Sequence, residues 1–175
     1  NVTSVGYEAF ARTKAIRTVT VEGGRSENLQ LNGAFRVCNE LETVDIQSGA
    51  VTIGNNEFQA CPTIGRVTLA NGIKTIGDWA FDGATALTEV MLPSSVASLG
   101  SGAFYECVDA VIYYPSSAAL ANSYTLGNTQ TQVAYSVNAD GQTVTIDEVT
   151  GTALTQTPGT VNGRKVSAVP EAYKP

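Results

Sequence analysis

Histidine is absent from the 175 residues. That removes Ser-His-Asp and Cys-His catalysis and most zinc sites. Charge is scarce as well: Asp, Glu, Lys and Arg together make up 15% of the chain. Basic residues number 10 against 16 acidic ones, for a net charge of −6, and no basic cluster exceeds Arg164-Lys165. Phosphate binding needs a concentrated positive field, so neither nucleic acid nor an anionic membrane surface fits as a partner. No apolar run approaches the roughly 18 residues of a membrane-crossing helix, so no membrane insertion is expected of this segment. No signal peptide opens the chain. Both ends read as cut from a longer polypeptide, which leaves the compartment open. The acidic residues are scattered, and Asp140-Gly141 lacks the further carboxylates of a calcium loop. The chain is expected to be noncatalytic, with no cofactor and no metal.

What is present is periodic. The five phenylalanines are Phe10, Phe35, Phe58, Phe81 and Phe104, so one gap of 25 residues is followed by three of 23. A fixed period in this range marks a solenoid whose units stack only on their neighbours. Five residues before the Phe stand Val5, Ile53, Ile76 and Leu99, each followed by Gly6, Gly54, Gly77 or Gly100. These glycines suit a tight turn with unusual backbone angles. Ala9, Ala34, Ala80 and Ala103 precede the Phe directly, and Glu57 is the exception. Six residues after the Phe come Ile16, Leu41, Ile64, Leu87 and Ala110.

Short alternating triplets then follow: Val19-Thr20-Val21, Val44-Asp45-Ile46, Val67-Thr68-Leu69, Val90-Met91-Leu92 and Ile112-Tyr113-Tyr114. Each reads as a strand with one buried face. Every unit returns the chain to the same place, so these strands stack in parallel, about 4.8 Å apart. One short α or 3₁₀ turn per unit is expected on the opposite wall, with the Phe rings stacked inside. The second unit departs from the pattern. Leu29-Gln30-Leu31-Asn32 replaces its apolar-Gly start, and Glu22–Asn28 reads as a Gly-rich loop bulging from the edge.

Strings such as Ile76-Gly77-Asp78-Trp79-Ala80-Phe81 and Leu87-Thr88-Glu89-Val90-Met91-Leu92-Pro93 resemble the BspA-like leucine-rich repeat family of microbial surface proteins. The resemblance runs through five units over residues 3–115. It implies a curved solenoid with a parallel sheet on one face. It also implies display outside the cell, often as an adhesin or host-interaction module.

The fold expected is thus a β-rich, right-handed leucine-rich-repeat solenoid with one parallel sheet and short helical turns opposite it. The array of five units spans 1–115. A helix cap and connector follow over 116–134, the helix lying at Ser117–Tyr124. A β-hairpin and a degenerate repeat start fill 135–175. The hairpin pairs Gln132–Val137 with Thr143–Val149 across Asp140-Gly141, and Tyr173 falls where a Phe would stand.

Three cysteines, Cys38, Cys61 and Cys107, share one repeat position with Thr13 and Ala84. Stacking would bring Cys38 and Cys61 about 5 Å apart at Cα, within disulfide range. The small residues at equivalent positions speak instead for a column of inert buried thiols. Cys107, with Ala84 between it and Cys61, is expected to be free.

The outward row Thr20, Asp45, Thr68, Met91 and Tyr113 is the candidate binding face. Met91 and Tyr113 form its sticky end unless Tyr113 packs under the C-terminal cap. Trp79, the single tryptophan, is either a surface contact or a cover over a neighbouring turn. The function expected is noncatalytic binding of an extracellular protein or glycoprotein, host matrix included, at a microbial cell surface. A spacer and a carbohydrate-binding accessory module are the alternatives.

Overall fold

A computed structural model describes residues 4–22, 29–47, 50–129, 131–151, 158–161 and 163–170. Most of the expected Glu22–Asn28 loop, and Tyr173, lie outside the described residues. Fifteen strands are described. They are β1 (Ser4–Val5), β2 (Thr18–Val21), β3 (Leu29–Leu31), β4 (Thr43–Ile46), β5 (Ala50–Ile53), β6 (Arg66–Leu69), β7 (Thr75–Ile76) and β8 (Glu89–Met91). There follow β9 (Ser98–Leu99), β10 (Val111–Pro115), β11 (Ala119–Leu120), β12 (Thr131–Val137), β13 (Thr143–Gly151), β14 (Thr160–Val161) and β15 (Arg164–Ala168).

Each unit contributes two strands and one turn, so the solenoid has three walls. The alternating triplets form the first wall, with β2, β4 and β6 parallel and in register. β8, β10 and β12 continue it as a second parallel group. The short apolar segments before the glycines form another wall, in the order β1-β3-β5-β7-β9-β11. The single sheet expected from sequence is therefore corrected to separate parallel walls on different sides of the core. The reason is geometric. A 23-residue circuit stacks every extended segment on its copy, including two-residue ones too short to announce themselves by alternation.

The third wall holds the stacked rings. Successive Phe centroids lie 5.2, 5.7, 5.2 and 5.3 Å apart, with planes within 17° of parallel. The short α or 3₁₀ turns expected here are absent from the described residues. Hydrogen-bond accounting explains this, since a helix would spend every N–H within its own segment. Here alternate N–H groups leave the unit. Those of Trp79, Phe81 and Gly83 donate to Ser101 O, Ala103 O and Tyr105 O of the next turn, at 2.9, 2.8 and 2.9 Å. Those of Asp82 and Ala84 stay local, on Trp79 O and Phe81 O. Left-handed residues on either side of the Phe enforce the alternation: Asn56 and Ala60 (both φ 56), Trp79 (φ 56) and Gly83 (φ 77), and Gly102 (φ 61) and Glu106 (φ 60).

The glycine expectation also changes. Gly54, Gly77 and Gly100 are not among the positive-φ residues. They are required by close approach between units. A Cβ would lie 1.9 Å from Leu31 O at Gly54, 2.4 Å from Asn55 Oδ1 at Gly77, and 2.4 Å from Asp78 N at Gly100. The oxygens involved form a ladder, because Asn55 Oδ1 accepts the Asp78 N–H at 2.9 Å and Asp78 Oδ1 accepts the Ser101 N–H at 2.7 Å.

The cap helix expected over Ser117–Tyr124 is likewise corrected. That stretch supplies β11, which pairs with β9 as one more step of the short-strand wall. Leu126 takes the ring position, and the carbonyl before it, Thr125 O, accepts the Phe104 N–H at 3.1 Å. The solenoid has about six turns, not five. Ser117-Ala118-Ala119-Leu120 has helical propensity, but stacking on the preceding unit outweighs it. The segments flanking Asp140-Gly141 are β12 and β13, which are antiparallel. β15 then runs parallel to β13, and β14 antiparallel to β15.

Candidate functional site

The outer face of the triplet wall divides into two halves. In the first, Thr20, Asp45 and Thr68 stand side by side in register on β2, β4 and β6. Thr20 and Thr68 are exposed and Asp45 is half-buried. Their strand neighbours Val19, Val44 and Val67 point into the core. This half is flat and polar. Asp45 accepts a 2.9 Å hydrogen bond from Gln47 Nε2, and Arg17 pairs along the edge with Glu40 and Glu42.

The second half is covered. Met91, Tyr113 and Val133 are paired across β8, β10 and β12. Together with Tyr135, Val144, Ile146, Val149 and Val161 they form a second apolar cluster outside the solenoid core. Tyr113 is 4% exposed, and burial, aided by Glu89, pushes its phenol up to about 12. Tyr135 donates its hydroxyl to Leu92 O at 2.7 Å and ties the C-terminal strands to the array. The C-terminal segment therefore packs on the residues read from sequence as the sticky end of the face.

A groove of about 340 Å³ separates the halves, lined by Gly65, Arg66, Thr68, Glu89, Met91 and, from the β14–β15 turn, Gly163. Its cause is a step missing from the wall. Gly65 and Arg66 N–H both donate to Glu42 O, but among the described residues no N–H reaches Gly65 O in turn. At the other end, Gln47 and Ala70 N–H close the earlier steps on Val21 O and Ile46 O. Pro93 occupies the next such position and has no N–H to give. Sequence reasoning missed Arg66, Glu89 and Gly163 as neighbours, and Pro93 was the available signal.

Trp79 lies on the ring wall, away from this face. Its indole rests on Gly102, where a Cβ would come within 2.5 Å of the ring, and meets Tyr105 edge-on at 5.8 Å. It covers the neighbouring turn and remains half-buried.

The most perturbed acid is Glu57, in the alanine column. It is fully buried, and one oxygen accepts the Ala34 N–H at 3.3 Å while the other has no partner. Burial pushes its carboxyl up to about 7. The three cysteines are free and buried. Each thiol points at the carbonyl of the preceding ring residue: Cys38 at Phe10 O, Cys61 at Phe35 O and Cys107 at Phe81 O, each at 3.2 Å. Burial pushes Cys61 and Cys107 up to about 12, so both stay protonated. No cluster of three or more acidic, Cys or His residues fit to hold a metal occurs among the described residues.

No curated protein matches the chain. Among solved structures, it is similar to a leucine-rich repeat protein of T. pallidum at 22% identity and a TM-score of 0.59, covering 66% of this chain and 56% of that one. A leucine-rich repeat protein from Bacteroides ovatus matches at 19% identity and a TM-score of 0.53, over 87% of this chain and 39% of that one. A leucine-rich cell surface protein from Faecalibacterium prausnitzii matches at 24% identity and a TM-score of 0.49, over 83% of this chain and 42% of that one. This chain thus spans about half or less of each of these structures. At such identities the likeness shows the fold. The model of the BspA-type leucine-rich repeat region matches six copies over residues 3–132, and the chain belongs to that family.

Proposed function

We propose that this segment is a noncatalytic protein-binding module of a bacterial surface protein, which docks an extracellular protein or glycoprotein, host matrix included, on its open sheet half. The observation carrying this reading is the in-register polar row Thr20, Asp45 and Thr68, presented on a rigid parallel sheet beside a groove. A shallow face of this kind binds through many modest contacts spread over its area. The family match supports display at the cell surface.

A spacer is the second reading. It is favoured by the C-terminal strands covering Met91 and Tyr113, which shrinks the free face. A sugar-stacking role loses its best aromatic, since Tyr113 is buried.

The test is a binding titration against matrix proteins, mucin and glycans, with Asp45→Lys/Thr68→Lys as the variant. Both positions are solvent-facing, so the variant is expected to keep the wild-type melting curve. Saturable binding that the variant loses supports the docking reading. A folded wild type that binds nothing on the panel sinks it in favour of the spacer.

A further inference from the structure

The C-terminal group of parallel strands does not end flush. β8 stops at Met91, paired with Tyr113, while β10 and β12 run on in register to Pro115 and Tyr135. Beyond Pro93 the chain turns away, with Val96 N–H closing on Pro93 O at 3.0 Å. The overhang leaves a recess of about 390 Å³ at the carboxyl ends of the three strands. That volume lies within the range of about 300–1,000 Å³ usual for small-molecule sites. Four of its lining residues are serines, Ser94, Ser116, Ser117 and Ser136, and none is charged. The hydroxyls of Ser94, Ser116 and Ser117, and the N–H groups of Ser94 and Ser117, have no protein partner among the described residues. Ser136 gives its proton to Asp147 Oδ1 at 3.0 Å and keeps its acceptor lone pairs. Pro115 and Val137 supply apolar surface beside them. The frame is fixed, because Ser116 N–H donates to Tyr135 O at 2.8 Å and the Tyr135 hydroxyl to Leu92 O at 2.7 Å.

We propose that this recess is a binding site for one neutral sugar residue, held by hydrogen bonds to the serines with its C–H face on Pro115 and Val137. Three considerations select that class. Hydroxyls both donate and accept, so they match a ligand whose own polar groups are hydroxyls. An anion such as phosphate finds no counter-charge in the lining, and the Asp147 carboxylate behind Ser136 opposes it. A purely apolar ligand would take the free hydroxyls and N–H groups out of water and leave them unpaired. Recognition here runs through hydroxyls and not through an exposed aromatic ring, so the burial of Tyr113 does not weigh against it. The recess lies off the row Thr20, Asp45 and Thr68, and the proposal does not rest on docking at the open sheet half.

The experiment titrates the protein with D-glucose, D-galactose, D-mannose, L-fucose and N-acetyl-D-glucosamine, followed by saturation-transfer NMR. At least one is expected to bind saturably with a Kd of about 1 mM, the scale open to roughly a dozen heavy atoms. Ser94→Ala/Ser117→Ala removes hydroxyls that bond nothing in the protein, so the melting curve should stay while affinity falls about tenfold or more. Ser116→Trp, at an exposed position, should fill the recess and abolish binding. Asp45→Lys/Thr68→Lys, on the open half, should leave sugar binding unchanged, which separates this site from the docking face. No saturable binding by any of these sugars overturns the proposal, as does binding that survives both serine variants. Sugar binding lost in Asp45→Lys/Thr68→Lys would move the site to the open half and overturn it too. Inorganic phosphate or a blocked glycine tripeptide that binds the recess more tightly than every sugar would overturn the chemical class.

Discussion

The repeat array and the C-terminal strands bury apolar surface by different rules. In the array the layers are nearly interchangeable, with one ring, one Ala and one apolar strand residue per wall except where Glu57 replaces the Ala and Thr125-Leu126 replace Ala-Phe, all joined in a single core from Val19 to Leu126. The C-terminal strands share the outer wall through the β10–β12 pairing but build a separate cluster, using Tyr113 and Met91 as its floor. In a solenoid, stability is close to a sum of units and their interfaces. The C-terminal cluster has one copy of each contact, so its energetics rest on individual residues such as Tyr135. The lesson is that a repeat signal describes the layers well and describes poorly whatever packs across them.

The sharpest contrast lies within the ring column. Phe81→Ala empties a fully buried ring site and is expected to cost about 3–5 kcal/mol. Phe10→Ala, at 45% exposure, should cost below about 1 kcal/mol. Denaturant midpoints at constant slope would measure both. Equal losses would refute the difference in burial between the two rings.

Next comes the glycine ladder. Gly77→Ala forces a Cβ to 2.4 Å from Asn55 Oδ1 and 2.8 Å from the Gly54 carbonyl carbon. Backbone on one side leaves little room to yield, so a loss of about 3 kcal/mol is expected. Gly6→Ala, with nothing within 4 Å, should be close to neutral in the same thermal melts.

Glu57 makes stability depend on pH. The folded chain holds its proton up to about 7, against an ordinary value of 4.5 in the unfolded chain. The folded state therefore binds more protons between those values, and stability falls as pH rises. The contribution is complete below 4.5 and lost above about 7. A drop of about 2–3 kcal/mol from this group is expected over that window. Glu57→Gln should flatten it, as read by unfolding free energies at a series of pH values. An unchanged slope in the variant would show that another group carries the dependence.

The smallest effect belongs to the thiols. Cys107→Ala removes the donor to Phe81 O, a loss of about 1 kcal/mol. Ala84 already occupies this column, which limits the damage. Thiol-reactive dye should label Cys61 and Cys107 only on unfolding, since burial keeps both protonated. Prompt labelling of the native protein would contradict their burial.

The ring ladder was legible because Phe is large, scarce and periodic, and its stacked column follows from the spacing alone. The inward valines of β2, β4, β6 and β8 were legible because alternation with Thr, Asp or Met separates the faces. The second strand wall was not, since two residues such as Thr75-Ile76 show no period of their own. Helical turns around Ala-Phe were expected from local shortness, but the alternating export of N–H groups to the next unit is a property of the stack. The candidate face was half legible. Thr20, Asp45 and Thr68 stand together in the open, while Tyr113 was read with its burial under the C-terminal segment left undecided. No sequence pattern states that β13–β15 pack on it.

By itself the sequence determined the repeat, its register, the buried column and the family, because each follows from residue spacing that any stacked arrangement must respect. Tertiary structure alone decided that glycines serve close approach, that Pro93 lies beside a split in the wall, and that Met91 and Tyr113 are covered. Those outcomes depend on contacts between segments far apart in the chain, where the hydrogen bonds and apolar area of one segment compete with those of another.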